Sequence, residues 1–71
     1  MFWNYRMVKT TEGTFEIREV YYEDDVPRMM TTAAAAPYGE TVEELERDVK
    51  HLLEALDHPV LNESDFDERS S

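Results

Sequence analysis

Between Thr41 and Asp57 the chain carries Val42, Leu45, Val49, Leu52, Leu53 and Leu56, a spacing that gathers them into a stripe about 100° wide on a helix. The pattern predicts one amphipathic helix, with Glu43, Glu44, Arg47, Asp48, His51 and Glu54 on the opposite surface. Thr41 can accept a free N–H of the first turn, and Glu44, three residues on, completes a capping box. Glu43 with Arg47, and Glu46 with Lys50, stand at i,i+4 and are worth about 0.3 kcal/mol each as exposed pairs. Pro59 ends the helix at about Asp57 or His58. Burying the six apolar side chains on a sheet would contribute about 9–18 kcal/mol before entropy is subtracted. The stripe is therefore expected to drive folding. One helix shields only one side of a sheet, and that limit shapes every reading below.

The remainder of the chain leaves little else to build with. Its 71 residues make one domain, and 41% hydrophobic with 34% charged residues is a globular composition rather than a disordered one. A chain this short hides only about 60% of the surface that its unfolded form exposes. Cysteine is absent, which removes disulfides and thiolate metal sites. Small scaffolds without such staples often gain stability by oligomerising, so a homodimer is expected.

Phe2 to Thr10 alternates with a period of two, placing Trp3, Tyr5 and Met7 on one face and Asn4, Arg6 and Val8 on the other. Thr11, Glu12 and Gly13 form a polar break suited to a hairpin turn. The second strand runs from about Thr14 to Tyr22. Phe15 and Ile17 share a face with Tyr21, while Val20 and Tyr22 lie opposite. Either this strand is apolar on both sides near its end, or a bulge around Arg18 and Glu19 resets its phase. Glu23, Asp24 and Asp25 make a charged turn closed by Pro27. A third strand is expected from Arg28 to about Ala34, because four alanines cannot nucleate a helix alone and Pro37 biases Ala36 toward extended backbone. The fold class is α+β: a three-stranded antiparallel meander with one C-terminal amphipathic helix on one face. Residues 1–61 form the domain and 62–71 an acidic tail, with Val60 and Leu61 folding back as a stub.

Charge narrows the function. Seven Lys and Arg stand against seventeen Asp and Glu, for a net charge of −10. The basic residues are scattered singly, which argues against direct contact with nucleic acid or an anionic membrane surface. A basic protein partner fits, since opposite charge speeds and orients encounter. No apolar run approaches the roughly 20 residues of a membrane span, and the N-terminus lacks a signal-peptide pattern, so a cytoplasmic location is expected.

Candidate chemistry is sparse. His51 and His58 stand seven residues apart on the helix, about 10 Å along its axis, too far to share one zinc ion within a chain. Glu23, Asp24 and Asp25 lack the alternating ligands and central glycine of a calcium loop, and Asp65 and Asp67 read as solvated tail residues. No Ser or Thr pairs with a base in a sheltered setting, and nothing selects one carboxylate pair for acid–base work. The expectation is a non-catalytic domain with no metal and no cofactor. The sheet is rich in aromatics, and the helix covers one face. Most of Phe2, Trp3, Tyr5, Phe15, Tyr21 and Tyr22 are expected in the core; the alternative leaves Phe2, Val8, Val20 and Tyr22 exposed on the uncovered face as an interface, with Met29 and Met30 beside them.

The order strand, Gly turn, strand, strand, followed by Gly39-Glu40-Thr41-Val42-Glu43-Glu44-Leu45 opening an amphipathic helix, resembles the N-terminal domain of HicB-type antitoxins. The resemblance covers roughly residues 3 to 57 and implies a toxin-binding, regulatory role. The chain departs from that pattern in three places. Ala36-Pro37-Tyr38-Gly39 replaces a Pro-Asp-Leu-Pro-Gly-like turn, the strand after the helix is reduced, and no DNA-binding segment follows. Two further functions are compatible with composition alone: an acidic mimic of nucleic acid that occupies a basic protein, and a purely structural homodimer.

Overall fold

A computed structural model describes residues 2–66. The class is α+β, built on a mixed sheet of four strands rather than a three-stranded meander. β1 (Phe2–Lys9) pairs antiparallel with β2 (Phe15–Glu23) over its whole length, from Phe2 opposite Tyr22 to Lys9 opposite Phe15. β3 (Val26–Met30) continues the meander on the far side of β2. After the helix, β4 (Leu61–Asn62) joins the other edge, parallel to β1 at Val8 and Lys9. The spatial order is β3-β2-β1-β4, so the chain between β3 and β4 passes from one sheet edge to the other.

Both hairpin turns follow from local chemistry. Gly13 takes φ 91°, and its N–H donates to the Thr10 carbonyl at 3.0 Å. Asp24 and Asp25, both at positive φ, form a two-residue connection between Glu23 and Val26. That turn matches the right-handed twist of its strands, and Asp tolerates left-handed backbone better than most side chains. Pro27 sits in the short edge strand, where a missing donor costs little.

The β1–β2 register contains no bulge, so β2 carries apolar side chains on both faces near its end. An irregularity does occur, but between Tyr21 and Tyr22 on the β3 side. β3 also ends at Met30 rather than Ala34. The Thr31 hydroxyl accepts the Glu19 N–H at 3.3 Å, which replaces a ladder bond with a side-chain bond. The alanine run then keeps one isolated backbone contact, Ala35 N–H to the Ile17 carbonyl at 2.7 Å.

The helix α1 covers Val42–Leu53 and tightens into a 3₁₀ turn over Glu54–Asp57. Thr41 caps it in extended backbone, its Oγ1 accepting the Glu44 N–H at 3.1 Å. The Glu44 carboxylate reaches back to the N–H of Glu40, one residue before the cap. Neither Glu43–Arg47 nor Glu46–Lys50 closes to ion-pair distance. His58 returns to extended backbone ahead of Pro59.

The core is small: Val8, Val20, Leu52 and Ala55. The 3₁₀ turn lies against β1, whereas α1 itself has no extensive contact with any strand. The expected docking of the whole stripe on one sheet face therefore does not occur; only its C-terminal part enters the core. The Cα radius of gyration is 12.7 Å, against about 11 Å for a compact chain of this length.

What the sheet buries is polar. Arg6 and Arg18 stand opposite each other in the β1–β2 register, both nearly inaccessible, on the face of Val8 and Val20. Arg18 Nε donates to Glu16 at 2.6 Å, and its Nη1 donates to Glu63 at 2.8 Å and meets the Met30 sulfur at 3.4 Å. The other oxygen of Glu63 accepts the Thr11 N–H at 2.9 Å. One carboxylate thus ties the segment after β4 to the first hairpin, and the stretch expected as tail opens with an anchored turn, Glu63–Asp65. Residues 67–71 of that tail lie outside the described residues.

The bond from Thr11, then that from Arg18, holds the Glu63 carboxyl below its usual 4.5. A depressed carboxyl contributes stability above its ordinary value and loses it as pH falls through the depressed one. Amide exchange at Thr11 is expected to be protected at pH 6 and to accelerate as pH falls through the depressed value, beyond the intrinsic pH trend. Glu63→Gln should remove that extra acid step. Identical protection ratios at pH 6 and pH 3 in the unsubstituted chain would show that the clasp does not hold.

Candidate interaction surfaces

The five residues expected as an interface divide sharply. Val8 and Val20 are fully buried and belong to the core. Tyr22 is half-buried, its hydroxyl accepting from Arg6 Nη1 at 2.6 Å, and Met30 is half-buried against Arg18. Phe2 is exposed and tilts against Tyr22, with ring centroids 5.3 Å apart. Val8 and Val20 therefore lie on the covered face of the sheet rather than on the free one. The face with fewer apolar residues is inside, because Glu16 and Glu63 neutralise Arg18 there, while Tyr22 and the Pro59 carbonyl receive Arg6.

The opposite face carries Trp3, Tyr5 and Met7 of β1 beside Tyr21, Glu19 and Ile17 of β2. Trp3 pairs with Tyr21, which in turn pairs with Met29 of β3, so these three form one row across the sheet. Trp3 is 44% exposed, Met29 57% and, further along, Phe15 65%. Trp3 meets Tyr5 edge-on with centroids 5.2 Å apart and Tyr21 at 6.4 Å. Burial, then the charges of Asp48 and Glu19, pushes the Tyr5 phenol up. The hydrogen bond from Tyr21 to Glu19, at 2.7 Å, does the same for Tyr21. Both rings remain neutral at physiological pH. The row is amphipathic and partly exposed, and large aromatics of this kind are enriched among the residues that dominate binding energy at protein interfaces.

A second apolar surface is the helix stripe itself. Val42 is 68% exposed and Leu56 61%, with Leu45, Val49 and Leu53 also exposed. Between α1 and the free part of the β1 edge lies an open cleft of about 640 Å³, lined by consecutive strand residues from Phe2 to Arg6 and by His51, Glu54 and His58. Asp25 and Glu54 contribute carboxylates to it, both solvent-exposed, and no Ser or Thr lines it. Arg6 Nε and Asn4 Oδ1 are buried in the wall without a protein partner. The two histidines expected as separate surface groups thus share this cleft. Among the described residues, no three His, Cys, Asp or Glu side chains converge as a metal set. No helix among the described residues is long and apolar enough to cross a membrane.

Comparison with protein families, curated proteins and solved structures found no match to this chain.

Proposed function

We propose that this chain is a non-catalytic interaction module that binds another protein through the Trp3–Tyr21–Met29 row. The observation that carries the reading is the uncovered aromatic and methionine row on a domain whose own core amounts to four side chains. Large exposed apolar side chains gathered in one place mark contact sites, and methionine adapts its shape to a partner. The net charge of −10 selects a partner of basic surface. A strand after the helix, here β4 beside β1, is compatible with the HicB-like arrangement.

The test is co-purification of tagged protein from its native cells at low and at half-molar salt. A specific partner is expected to be retained by the unsubstituted chain and lost with the Trp3→Ser, Met29→Ser double variant, with both proteins equally folded by circular dichroism. Release by salt alone, with no effect of the double variant, would instead identify a purely electrostatic mimic of nucleic acid.

A further inference from the structure

The apolar stripe of α1 has a symmetry that nothing inside the protomer uses. Its exposed large side chains are Val42, Leu45, Val49, Leu53 and Leu56. Leu45 and Leu53 stand four residues either side of Val49, and Val42 and Leu56 seven residues either side. Read in either direction from Val49 the spacing is the same. Leu53 ends α1, and Leu56 follows on the 3₁₀ turn that continues it. On an α-helix of about 3.6 residues per turn the five fall within roughly 80°, with Val49 near the middle. Leu52, at the edge of this stripe, is the side chain that enters the protomer's own core.

We infer that a second copy of this chain covers the stripe, with the two α1 helices antiparallel about a two-fold axis at Val49. In that arrangement Val42 meets Leu56 of the other copy, Leu45 meets Leu53, and Val49 meets its own equivalent. Every exposed apolar side chain finds an apolar partner, the self-complementarity that a closed two-fold interface requires. Charge agrees with the same axis. Glu46 and Lys50 flank the stripe on the same side, both exposed, and neither is ion-paired to another of the described residues. Antiparallel pairing brings Glu46 of each copy beside Lys50 of the other, about 3 Å apart along the axis. In a parallel pair the flank that carries Glu46 and Lys50 would lie on opposite sides of the seam in the two copies, and neither contact would form. This surface is separate from the Trp3–Tyr21–Met29 row, so the inference stands or falls independently of the partner proposed above.

Five side chains per copy make an interface at the small end of the specific range, below about 1,200 Å² in total, so a micromolar dissociation constant is expected. Sedimentation of the full chain across a concentration series is expected to show the mass doubling from 8.4 kDa. Val49→Glu, which faces two carboxylates across the axis, should weaken the dimer at least about 100-fold while leaving the helical signal intact. A cysteine-free chain permits a second test that does not depend on Val49→Glu folding. Val49→Cys is expected to cross-link to itself under mild oxidation, and Leu45→Cys to cross-link to Leu53→Cys in a mixture but not to itself. A monomer at millimolar concentration, a dimer indifferent to Val49→Glu, or self-linking of Leu45→Cys would each overturn the inference.

Discussion

Arg18→Ala is expected to destabilise the domain by about 3 kcal/mol, the low end of what removing one partner of a buried ion pair costs. The low end applies because Glu16 and Glu63 keep roughly a quarter to a third of their side-chain surface in water and can resolvate. Even so, a 71-residue domain has only about 4–10 kcal/mol in total, so a measurable unfolded population should appear at 37 °C. Two effects combine. The carboxylates lose their cation, and a long side chain that fills the sheet beside Arg6 and Met30 leaves a void. Arg18→Met in the Glu63→Gln background separates them, because it keeps the volume and removes the cation together with the Glu63 charge, leaving the partly exposed Glu16 to resolvate. That double variant should recover to within about 1 kcal/mol of the unsubstituted chain, as apolar replacements of buried pairs commonly do. Urea unfolding followed by circular dichroism gives the comparison. An unchanged midpoint for Arg18→Ala would mean that the clasp from β2 to the C-terminal segment contributes nothing to the fold.

The same arginine explains why the covered face of the sheet is not legible in the sequence. Counting apolar residues favours the Trp3, Tyr5, Met7, Phe15 and Ile17 face as the inside, since the other face contains Asn4, Arg6, Glu16 and Arg18. What reverses the choice is Glu63, a residue 45 positions from Arg18 whose role no periodicity reveals. Elements specified by neighbours in sequence were legible: the Thr41 cap, the Gly13 turn, the acidic hairpin before Pro27 and the start of the helix. β4 was legible only as a stub at Val60 and Leu61; its parallel pairing with β1 was not, because two residues are too few to show alternation. The helix stripe was legible as a stripe, but amphipathicity states that a surface needs cover without naming the cover. Leu52 and Ala55 turn inward, and Val42, Leu45, Val49, Leu53 and Leu56 do not. The candidate surface suffered accordingly. Phe2 and Met29 are exposed while Val8 and Val20 are not, because alternation alone does not say which face of the sheet is covered.

Gly39→Ala is the second substitution with a large expected effect, and its cause is space rather than backbone torsion. A Cβ at Gly39 would fall on the backbone nitrogen of Leu45 and stand 2.8 Å from the Glu44 carbonyl carbon. Neither atom can yield by a side-chain rotation, because both belong to the first turn of α1. The segment before the helix must therefore lift away. With it would go the bonds that start the helix: Thr41 Oγ1 to the Glu44 N–H, Glu44 to the Glu40 N–H, and Asp48 to the Tyr38 N–H at 2.8 Å. Overpacking of this kind costs about 1–3 kcal/mol, and loss of the cap adds about 1 kcal/mol. Gly13→Ala provides the contrast, since its Cβ would meet nothing within 4 Å and only the positive φ opposes it. That torsional penalty is about 1–2 kcal/mol and should leave the helix untouched. Gly39→Ala should therefore reduce the 222 nm signal and fray amide protection from Glu43 to Arg47, while Gly13→Ala lowers the melting temperature with full helicity below the transition. A Gly39→Ala protein with unaltered helicity and melting temperature would show that Gly39 does not need to sit against the first turn of α1.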